Sequence, residues 1–237
     1  MVSIITCTIR DSCMENIFEN YERQIIDKKE LIIILNNDEM KISEWQKEGK
    51  RHQNVSIYQL PEKKTLGECL NFAIIEKAKH HMVAKFDDDD YYSPYYLKEA
   101  LQAFQNTEAD IVGKRSIYAY LEGHKALTVR TANRENKFTG YVMGSTFVMK
   151  KEIFKKVKFP RRNRGEDSKF QRDCNEAGLK IYSSSKYNYT CIRRNPDSHT
   201  WKIKESDFLK KCSELIDTEN YKEIVSKDTT QLSFDKE

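Results

Sequence analysis

The sequence contains little that interrupts regular structure. Its 237 residues include eight glycines and four prolines, with no internal repeat and no low-complexity linker. A chain of this length can bury one substantial core. We therefore expect a single domain rather than a string of small modules.

Two further absences bear on location. No apolar run approaches the roughly 20 residues needed to cross a bilayer, and Met1 leads straight into a strand-like segment rather than a secretory leader. The six cysteines form no CxxC pair and show no zinc-type spacing, which is typical of reduced thiols. These features predict a protein without a transmembrane segment, located in the cytoplasm or at the periphery of a membrane.

Charge of one sign is not in large excess either. The formal net charge is +4, and Lys and Arg alternate with Asp and Glu along most of the chain. This pattern argues against nucleic acid as a partner. With 38% hydrophobic and 33% charged residues, the chain should nevertheless fold.

What the sequence does have is an alternation of strands and helices. Short apolar segments have the composition of buried strands, and helical spacing of apolar residues separates them. The strand segments are residues 2–8, 30–35, 55–60 and 81–86. The alternation predicts an α/β fold with a parallel, doubly wound sheet, in which ligands bind beyond the carboxyl ends of the strands. Thr8, Asn36 and Asp87 all lie at such ends.

Beyond residue 110 the pattern changes. Residues 111–121 and 126–130 predict an antiparallel hairpin joined at Glu122-Gly123-His124. Further strands are predicted at residues 146–149, 179–183 and 187–193, and an amphipathic helix is predicted from about residue 206 to residue 216. The second half should therefore differ from the parallel first half.

The most unusual stretch is the acidic tetrad, Asp87 to Asp90, which directly follows a strand segment. Neighbouring carboxylates repel one another, so a folded chain tolerates them in solvent or around a neutralising cation. Carboxylates at alternate positions can aim two oxygens at one hard divalent ion and leave its other positions to phosphate oxygens and water. Alone, the tetrad could be a solvated loop or a passive cation site, but its place after a buried strand favours a functional metal site.

A second acidic motif, the acidic pair Glu166 and Asp167, follows a basic loop that contains Arg161, Arg162 and Arg164. A carboxylate near an acceptor hydroxyl can take its proton. Acidic residues at a helix start are also stabilising there for dipole reasons alone. The arginines either attract an anionic acceptor or balance nearby glutamates, and the second interpretation is the commoner one.

Several segments resemble those of family 2 glycosyltransferases and occur in the same order: residues 2–10, 66–74, 86–94 and 165–167. The resemblance covers roughly residues 1 to 200. It implies the GT-A fold, a Rossmann-like, mostly parallel sheet flanked by helices, with a smaller antiparallel hairpin on the acceptor side. It also implies one domain over residues 1–204, with a nucleotide-binding half at 1–110 and an acceptor half at 111–204. Residues 205–237 are then a C-terminal helix and polar tail.

The activity implied by the resemblance is inverting transfer of a sugar from a nucleotide-sugar donor, most often a UDP-sugar, with Mn²⁺ or Mg²⁺. The acceptor would be a hydroxyl of a carbohydrate, lipid-linked or protein molecule. Asp89 resembles the direct metal ligand, and Asp87 resembles the first carboxylate of the DxD motif, near the ribose or the metal. The tetrad permits a slip of one residue, so Asp88 and Asp90 remain substitutes.

The remaining roles are implied in the same way. Asp167 resembles the general base that deprotonates the acceptor, with Glu166 as a neighbour that orients it. His199 resembles a histidine that completes the metal or diphosphate site in some relatives, although a histidine in a polar loop is often simply exposed. The donor-side set consists of Thr8, Arg10, Asn36, Gly67, Asn71, Asp87 and Asp88.

Three departures from the family pattern matter. Asn36-Asn37-Asp38-Glu39 stands where relatives commonly have Asp-Asp-Gly-Ser, which leaves the contact to uracil open. Cys69-Leu70-Asn71 replaces the common Ala-Arg-Asn, so an arginine contact to the donor is missing. The QxxRW motif of polymerising members does not occur, which argues against processive synthesis.

Two other functions remain open on the sequence. A sugar-phosphate nucleotidyltransferase also places carboxylates and a metal beside an α/β sheet, but it usually has a Gly-rich loop with Arg and Lys near the first strand, and this chain lacks one. A non-catalytic module could instead bind a cation or a sugar through the tetrad, with the acidic pair serving only as a helix start.

Overall fold

Thirteen strands form two sheets in the computed structural model, which describes residues 1–194 and 205–229. Residues 195–204 and 230–237 lie outside the described part of the chain, and with them His199 and the predicted polar tail. In chain order the strands are β1 Val2–Thr8, β2 Lys29–Leu35, β3 Val55–Gln59, β4 Met82–Lys85, β5 Tyr91–Tyr92, β6 Ile111–Gly113, β7 Ile117–Leu121, β8 Ala126–Arg130, β9 Lys137–Phe138, β10 Val148–Lys150, β11 Ile181–Ser183, β12 Tyr189–Arg193 and β13 Cys212–Asp217.

The main sheet has eight strands in the order β3-β2-β1-β4-β10-β6-β11-β9. The first four strands in this order are parallel, as the sequence predicts. Strand β10 is antiparallel to both of its neighbours, and β9 is antiparallel to β11. The sheet is therefore mostly parallel, and the carboxyl ends of β1, β2, β3 and β4 lie along one edge.

Apolar side chains on both faces of these strands explain why they are nearly continuous hydrophobic runs. Ile4 and Ile33 belong to the core on one face, whereas the neighbouring Ile5 and Ile32 belong to the core on the other. All four side chains are at most 1% exposed. Two layers of helices are consequently needed to cover the sheet.

Seven α-helices occur in the described residues. They are α1 Met14–Glu22, α2 Ile42–Gly49, α3 Leu66–Asn71, α4 Tyr96–Asn106, α5 Glu166–Glu176, α6 Glu205–Leu209 and α7 Tyr221–Val225. Residues of α1, α2 and α4 pack in one core, and residues of α3 and α5 pack in the other. A π-helical segment, Phe72–Lys77, continues α3.

The second sheet has five strands in the order β13-β8-β7-β12-β5. Strands β7 and β8 form the predicted antiparallel hairpin, and β12 pairs with β7 in parallel. The chain passes from the main sheet to this sheet between β4 and β5, which is the position of the acidic tetrad. The tetrad therefore connects the two sheets.

Two predicted elements are wrong in part. Residues 111–121 are not one strand, because β6 belongs to the main sheet and β7 to the second sheet. The buried Lys114 lies at this change of sheet, and its Nζ donates to Glu99 Oε2 at 2.9 Å. The predicted helix at 206–216 is also corrected: α6 ends at Leu209, and β13 follows as an edge strand that pairs with β8.

All six cysteines are free thiols. Among the helices of the described residues, none has the length and apolar character required to span a bilayer.

Gly67 allows α3 to approach a neighbouring loop closely. The Gly67 N–H donates to the Arg162 carbonyl at 3.2 Å. A Cβ atom at residue 67 would collide with the carbonyl oxygen of Pro160 and lie 3.0 Å from its carbonyl carbon. The loop before α5 can therefore stay in this place only with glycine at position 67.

We expect Gly67→Ala to lower the free energy of unfolding by about 1–3 kcal/mol, because the backbone of residues near Pro160 must shift. Chemical denaturation measures this change. Gly123→Ala is the matched control, since a Cβ there meets nothing within 4 Å. Equal stability of the two variants would contradict the close approach.

Candidate functional site

The carboxyl edge of the main sheet brings together residues that are far apart in sequence. Thr8 ends β1, Asn36 follows β2, and the acidic tetrad follows β4. Their proximity results from the parallel pairing of these strands. The predicted site therefore corresponds to the carboxyl edge of the sheet, where polar side chains from separate strands meet.

The tetrad divides into two buried and two more exposed carboxylates. Asp88 and Asp90 are 6% and 5% exposed. The side chain of Asp87 is 36% exposed and that of Asp89 is 19% exposed. The side chains of residues 87 and 89 are therefore partly accessible to solvent, whereas those of residues 88 and 90 are buried in the protein.

Asp88 is held by the end of β1. Thr8 Oγ1 donates to Asp88 Oδ2 at 2.5 Å, and Arg10 contacts both carboxylate oxygens, with Nε 3.3 Å from Oδ2 and Nη2 against Oδ1. Arg10 Nη2 also lies 3.0 Å from Asp89 Oδ2. Burial works to lower the pKa of Arg10, but the hydrogen bond to Asp88 and the charges of Asp88 and Asp89 outweigh it and raise that pKa.

The carboxylate of Asp90 bonds to β12 rather than to the end of β1. Its Oδ1 accepts from the Ile192 N–H at 3.1 Å, and its Oδ2 accepts from the Tyr189 hydroxyl. Burial, together with the charges of Asp89 and Asp87, raises the pKa of Asp90 well above its ordinary value. Asp90 therefore fixes the tetrad to β12 rather than facing a ligand.

Helix α1 holds the backbone of the tetrad. Asn16 Nδ2 donates to the carbonyls of Asp88 and Asp90 at 2.8 and 3.0 Å. Asn20 Nδ2 donates to the Asp90 carbonyl at 2.9 Å. From the other side, Arg194 Nη1 donates to the Asp89 carbonyl at 2.8 Å. These bonds fix the turn in which consecutive carboxylates point to opposite sides.

Lys85 connects the tetrad with the acidic pair. It is the last residue of β4, it is 6% exposed, and its Nζ donates to Asp87 Oδ1. Burial would lower the pKa of Lys85, but the charges of Asp87, Glu166 and Asp167 and the hydrogen bond to Asp87 raise it above its ordinary value. One buried ammonium group therefore acts on carboxylates of both acidic motifs.

The acidic pair begins α5. Gly165 precedes it with φ at 69°, a left-handed conformation that favours glycine. Glu166 is 7% exposed. Burial raises its pKa, while the charge of Lys85 works in the opposite direction. Asp167 is partly exposed, and its Oδ1 accepts from the Ser168 N–H at 2.6 Å.

Gly144 and Ser145 form the opposite wall beside the acidic pair. A Cβ at Gly144 would lie 2.6 Å from the Cβ of Asp167, so only glycine leaves room for this aspartate. The hydroxyl of Tyr92 donates to the Ser145 carbonyl at 2.6 Å and accepts from the Asp87 N–H at 2.7 Å. Tyr92 thereby links the loop beside Asp167 to the tetrad.

Three predicted donor-side residues have other contacts. Asn36 Nδ2 donates to the Pro61 carbonyl at 2.9 Å. Asn71 exchanges two hydrogen bonds with the backbone of Phe159, at 2.9 and 3.0 Å. Gly67 contacts the same loop, so Gly67 and Asn71 shape the wall between α3 and α5. The predicted ligand His199 lies outside the described residues.

Sequence reasoning missed the residues that hold these groups, namely Asn16, Asn20, Lys85, Tyr92 and Ser145. Asn16 and Asn20 are spaced by one helical turn among the apolar residues of α1, which is a recognisable signal. A lysine in an otherwise apolar strand, directly before a run of acids, is another. Nothing in the local sequence indicates Ser145.

The chemistry of the donor set fits a hard divalent cation. Among the described residues, no group of three or more His, Cys, Asp or Glu side chains is arranged to hold a metal ion. Two carboxylates at alternate positions fit Mg²⁺ or Mn²⁺ when the ion takes its remaining ligands from waters and substrate phosphates. Asp87 and Asp89 are the exposed members of the tetrad and meet this description.

Comparison with known protein families gives one match. The model described as Glycosyl transferase family 2 matches residues 3–158, which is more than half of the chain. No curated protein sequence matches the chain.

Solved structures share the fold at low sequence identity. S. aureus TarS 1-349 in complex with UDP-GlcNAc is 16% identical with a TM-score of 0.65, covering 88% of this chain and 63% of that one. The same fragment with UDP is 18% identical with a TM-score of 0.62, covering 83% and 61%. Mannosyltransferase PcManGT from Pyrobaculum calidifontis, in complex with GDP-Man and Mn²⁺, is 15% identical with a TM-score of 0.61, covering 81% and 56%. This chain thus spans less than two thirds of the length of each neighbour.

We expect Lys85→Met to lower the free energy of unfolding by about 2 kcal/mol, because it leaves buried and half-buried carboxylates without their cation. The loss is below that of a fully buried pair because water screens the partly exposed Asp87. The pKa of Lys85 is raised, so its contribution is complete at neutral pH and is lost only as the pH rises through that elevated pKa.

Chemical denaturation at pH 7 measures the loss. Lys28→Met, at an exposed lysine before β2, is the control. A loss that is no larger for residue 85 than for residue 28 would refute the role of Lys85.

Proposed function

Because the chain belongs to glycosyl transferase family 2 and has the GT-A fold, we propose that it transfers a sugar from a nucleotide-sugar donor to an acceptor hydroxyl with inversion at the anomeric carbon. The transfer depends on a divalent cation. This proposal is more specific than the family assignment in its mechanism, its cation and its residues.

The convergence of the two acidic motifs carries the proposal. Asp87 contacts Lys85 directly, and the charges of Glu166 and Asp167 act on the same ammonium group. Transfer requires a group that stabilises the departing diphosphate and another that accepts the acceptor's proton. Asp87 and Asp89 belong to one acidic motif and Asp167 to the other, so the two tasks would fall to separate carboxylates.

On the donor side, Asp87 and Asp89 would hold Mn²⁺ or Mg²⁺, with His199 as a further ligand. The ion, when bound, neutralises the diphosphate and acts on it as a Lewis acid. Thr8 and Arg10 at the end of β1, together with Asp88 after β4, would meet the nucleotide, and the Arg10–Asp88 pair fixes their local geometry. Asn36, which follows β2 at the same edge, would meet the base, and Gly67 and Asn71 of α3 would contact the donor.

On the acceptor side, Asp167 takes the proton of the attacking hydroxyl. The acceptor oxygen forms a bond to the anomeric carbon while the bond from that carbon to the diphosphate oxygen breaks, and the electron pair leaves with the nucleoside diphosphate. Glu166 is 7% exposed, so the acceptor hydroxyl has little access to it, and it would orient the acceptor and Asp167 rather than act as the base. Partial exposure of Asp167 gives the hydroxyl access to its carboxylate.

We propose a UDP-sugar as the donor. TarS has been solved with UDP-GlcNAc and with UDP, whereas PcManGT has been solved with GDP-Man and Mn²⁺. Both kinds of nucleotide therefore occur among proteins of this fold. The UDP assignment rests on the family resemblance, and Asn36 must supply the contact to uracil in place of the usual aspartate.

Nucleotide binding tests the metal and the base. By calorimetry, we expect UDP to bind roughly tenfold or more tightly with Mn²⁺ than with a chelator, because Asp87 and Asp89 would hold an ion that neutralises the diphosphate. UDP should also bind more tightly than GDP. Asp89→Asn should remove the effect of Mn²⁺, whereas the exposed Asp217→Asn should retain it. Binding of UDP that ignores Mn²⁺ would exclude the metal assignment, and preference for GDP would exclude the donor assignment.

Asp167→Asn should retain UDP binding in Mn²⁺ and reduce transfer by roughly 10²- to 10⁴-fold, because an amide cannot accept the proton of the hydroxyl. Product formation from a panel of nucleotide sugars measures this loss. Asp173→Asn, further along the same helix, is the control and should stay active. Undiminished turnover in Asp167→Asn would show that another group is the base.

A further inference from the structure

The segment 155–164, which we call the basic segment, concentrates positive charge beside the acidic pair. It contains six cations and no anion, which exceeds the net charge of +4 of the whole chain. The rest of the chain is therefore slightly acidic, and the excess positive charge of the protein lies in this one segment. The cations are Lys155, Lys156, Lys158, Arg161, Arg162 and Arg164, and all six side chains are exposed.

This segment is held in place although its charged side chains are exposed. Val157 and Phe159 are 7% and 3% exposed, and the ring of Phe159 stacks on Phe170 of α5 with centroids 4.1 Å apart. Asn71 makes two hydrogen bonds to the Phe159 backbone. The arginines that follow are therefore carried on a fixed backbone, which reduces the entropic cost of binding a ligand there.

The same segment covers the start of α3. Asn163 Oδ1 accepts from the Leu66 N–H at 2.8 Å, and the Arg162 carbonyl accepts from the Gly67 N–H at 3.2 Å. Because α3 follows β3, its start lies at the carboxyl edge of the main sheet. The arginines consequently lie at the rim of the crevice, and Gly165 alone separates Arg164 from the acidic pair.

The balance of charges at this rim is incomplete. Arg161 Nε lies 3.4 Å from Glu68 Oε1. Neither Arg162 nor Arg164 forms an ion pair or a side-chain hydrogen bond with another described residue. The positive charges of Arg162 and Arg164 thus have no carboxylate partner among the described residues, so the interpretation that this segment balances nearby glutamates is supported at Arg161 but not at these two residues.

We propose that Arg162 and Arg164 bind a phosphate group of the acceptor, so that the acceptor is a phosphate-bearing carbohydrate. Guanidinium groups suit phosphate because their planar N–H donors match its oxygens in pairs. The acceptor phosphate docks at the rim while the neighbouring hydroxyl reaches Asp167. The term acceptor rests on the proposed function, whereas the binding of phosphate by these two arginines does not.

Binding to a labelled phosphorylated dextran tests the proposal, with unmodified dextran of the same length as the neutral probe. The measurements use the full chain in a chelator and without nucleotide, so that the donor site contributes nothing. We expect the phosphorylated probe to bind and the neutral one not to bind. Arg162→Gln combined with Arg164→Gln should weaken binding about tenfold, as expected for two exposed charge contacts.

Two further variants separate the geometry of the site from general charge. Lys28→Gln combined with Lys50→Gln removes the same charge from exposed positions at the opposite edge of the sheet and should leave binding unchanged. Arg162→Lys combined with Arg164→Lys keeps the charge but loses the paired donors, and should give an intermediate affinity. Equal losses in the two glutamine variants, or full binding by the arginine-to-glutamine variant, would overturn the proposal.

Vesicles of phosphatidylglycerol serve as the other source of phosphate. If wild-type protein binds these vesicles through Arg162 and Arg164 but ignores phosphorylated dextran, the surface recognises a membrane and the proposed acceptor class is wrong. Arginine-dependent binding of phosphorylated dextran supports the proposal.

Donor measurements on the same variants keep the two proposals apart. UDP binding in Mn²⁺ should be unchanged in the arginine-to-glutamine variant, because neither Arg162 nor Arg164 belongs to the proposed donor-side set. If wild-type protein binds phosphorylated dextran but no nucleotide, the proposed function fails and the phosphate site stands. If it binds UDP with Mn²⁺ but no phosphorylated dextran, the phosphate site alone fails.

Discussion

Electrostatic repulsion among six carboxylates, the tetrad and the acidic pair, is the constraint on which this site depends. Bringing them together from separate parts of the chain costs free energy unless cations compensate. Lys85 and Arg10, both at or just beyond strand ends, supply that compensation from inside the protein. Because their positions are fixed by β4 and β1, the parallel sheet sets the geometry of the charges above it. The same strands that form the sheet therefore also position the charges of the site.

The tetrad also connects the two sheets, since the chain crosses from the main sheet to the second sheet there. Asp90 is bound to β12 through Tyr189 and Ile192, and the backbone of the tetrad is bound to α1. The crossing is thus tied to both sheets and to a helix. A ligand held by the exposed carboxylates would sit on a rigid support, and the loop beside Asp167 is joined to that support through Tyr92. The tetrad and the loop beside Asp167 are accordingly joined by one side chain.

Much of this arrangement could be predicted because it depends on patterns of neighbouring residues in the sequence. Buried parallel strands are short apolar runs, and polar residues at their ends mark the crevice, so the first half of the chain and both acidic motifs could be identified. The prediction errors occur where residues distant in sequence determine the secondary structure of a segment. Residues 208, 212, 215 and 216 have helical spacing, but pairing with β8 makes 212–217 a strand. Likewise, the change of sheet after β6 involves a distant partner, since Thr146 Oγ1 accepts from the Lys114 N–H at 2.8 Å.

Strand β13 has a consequence for any shortened form of the protein. It covers one edge of β8. Further along the chain, the Val225 carbonyl accepts from the N–H of Asn188, just before β12, at 2.8 Å. A chain cut at residue 204, where sequence reasoning places the domain boundary, would leave β8 as a bare edge with unpaired backbone groups. Such an edge recruits strands from other molecules. Self-association and precipitation are therefore the expected behaviour of that fragment, because β13 is the strand that shields this edge from other molecules.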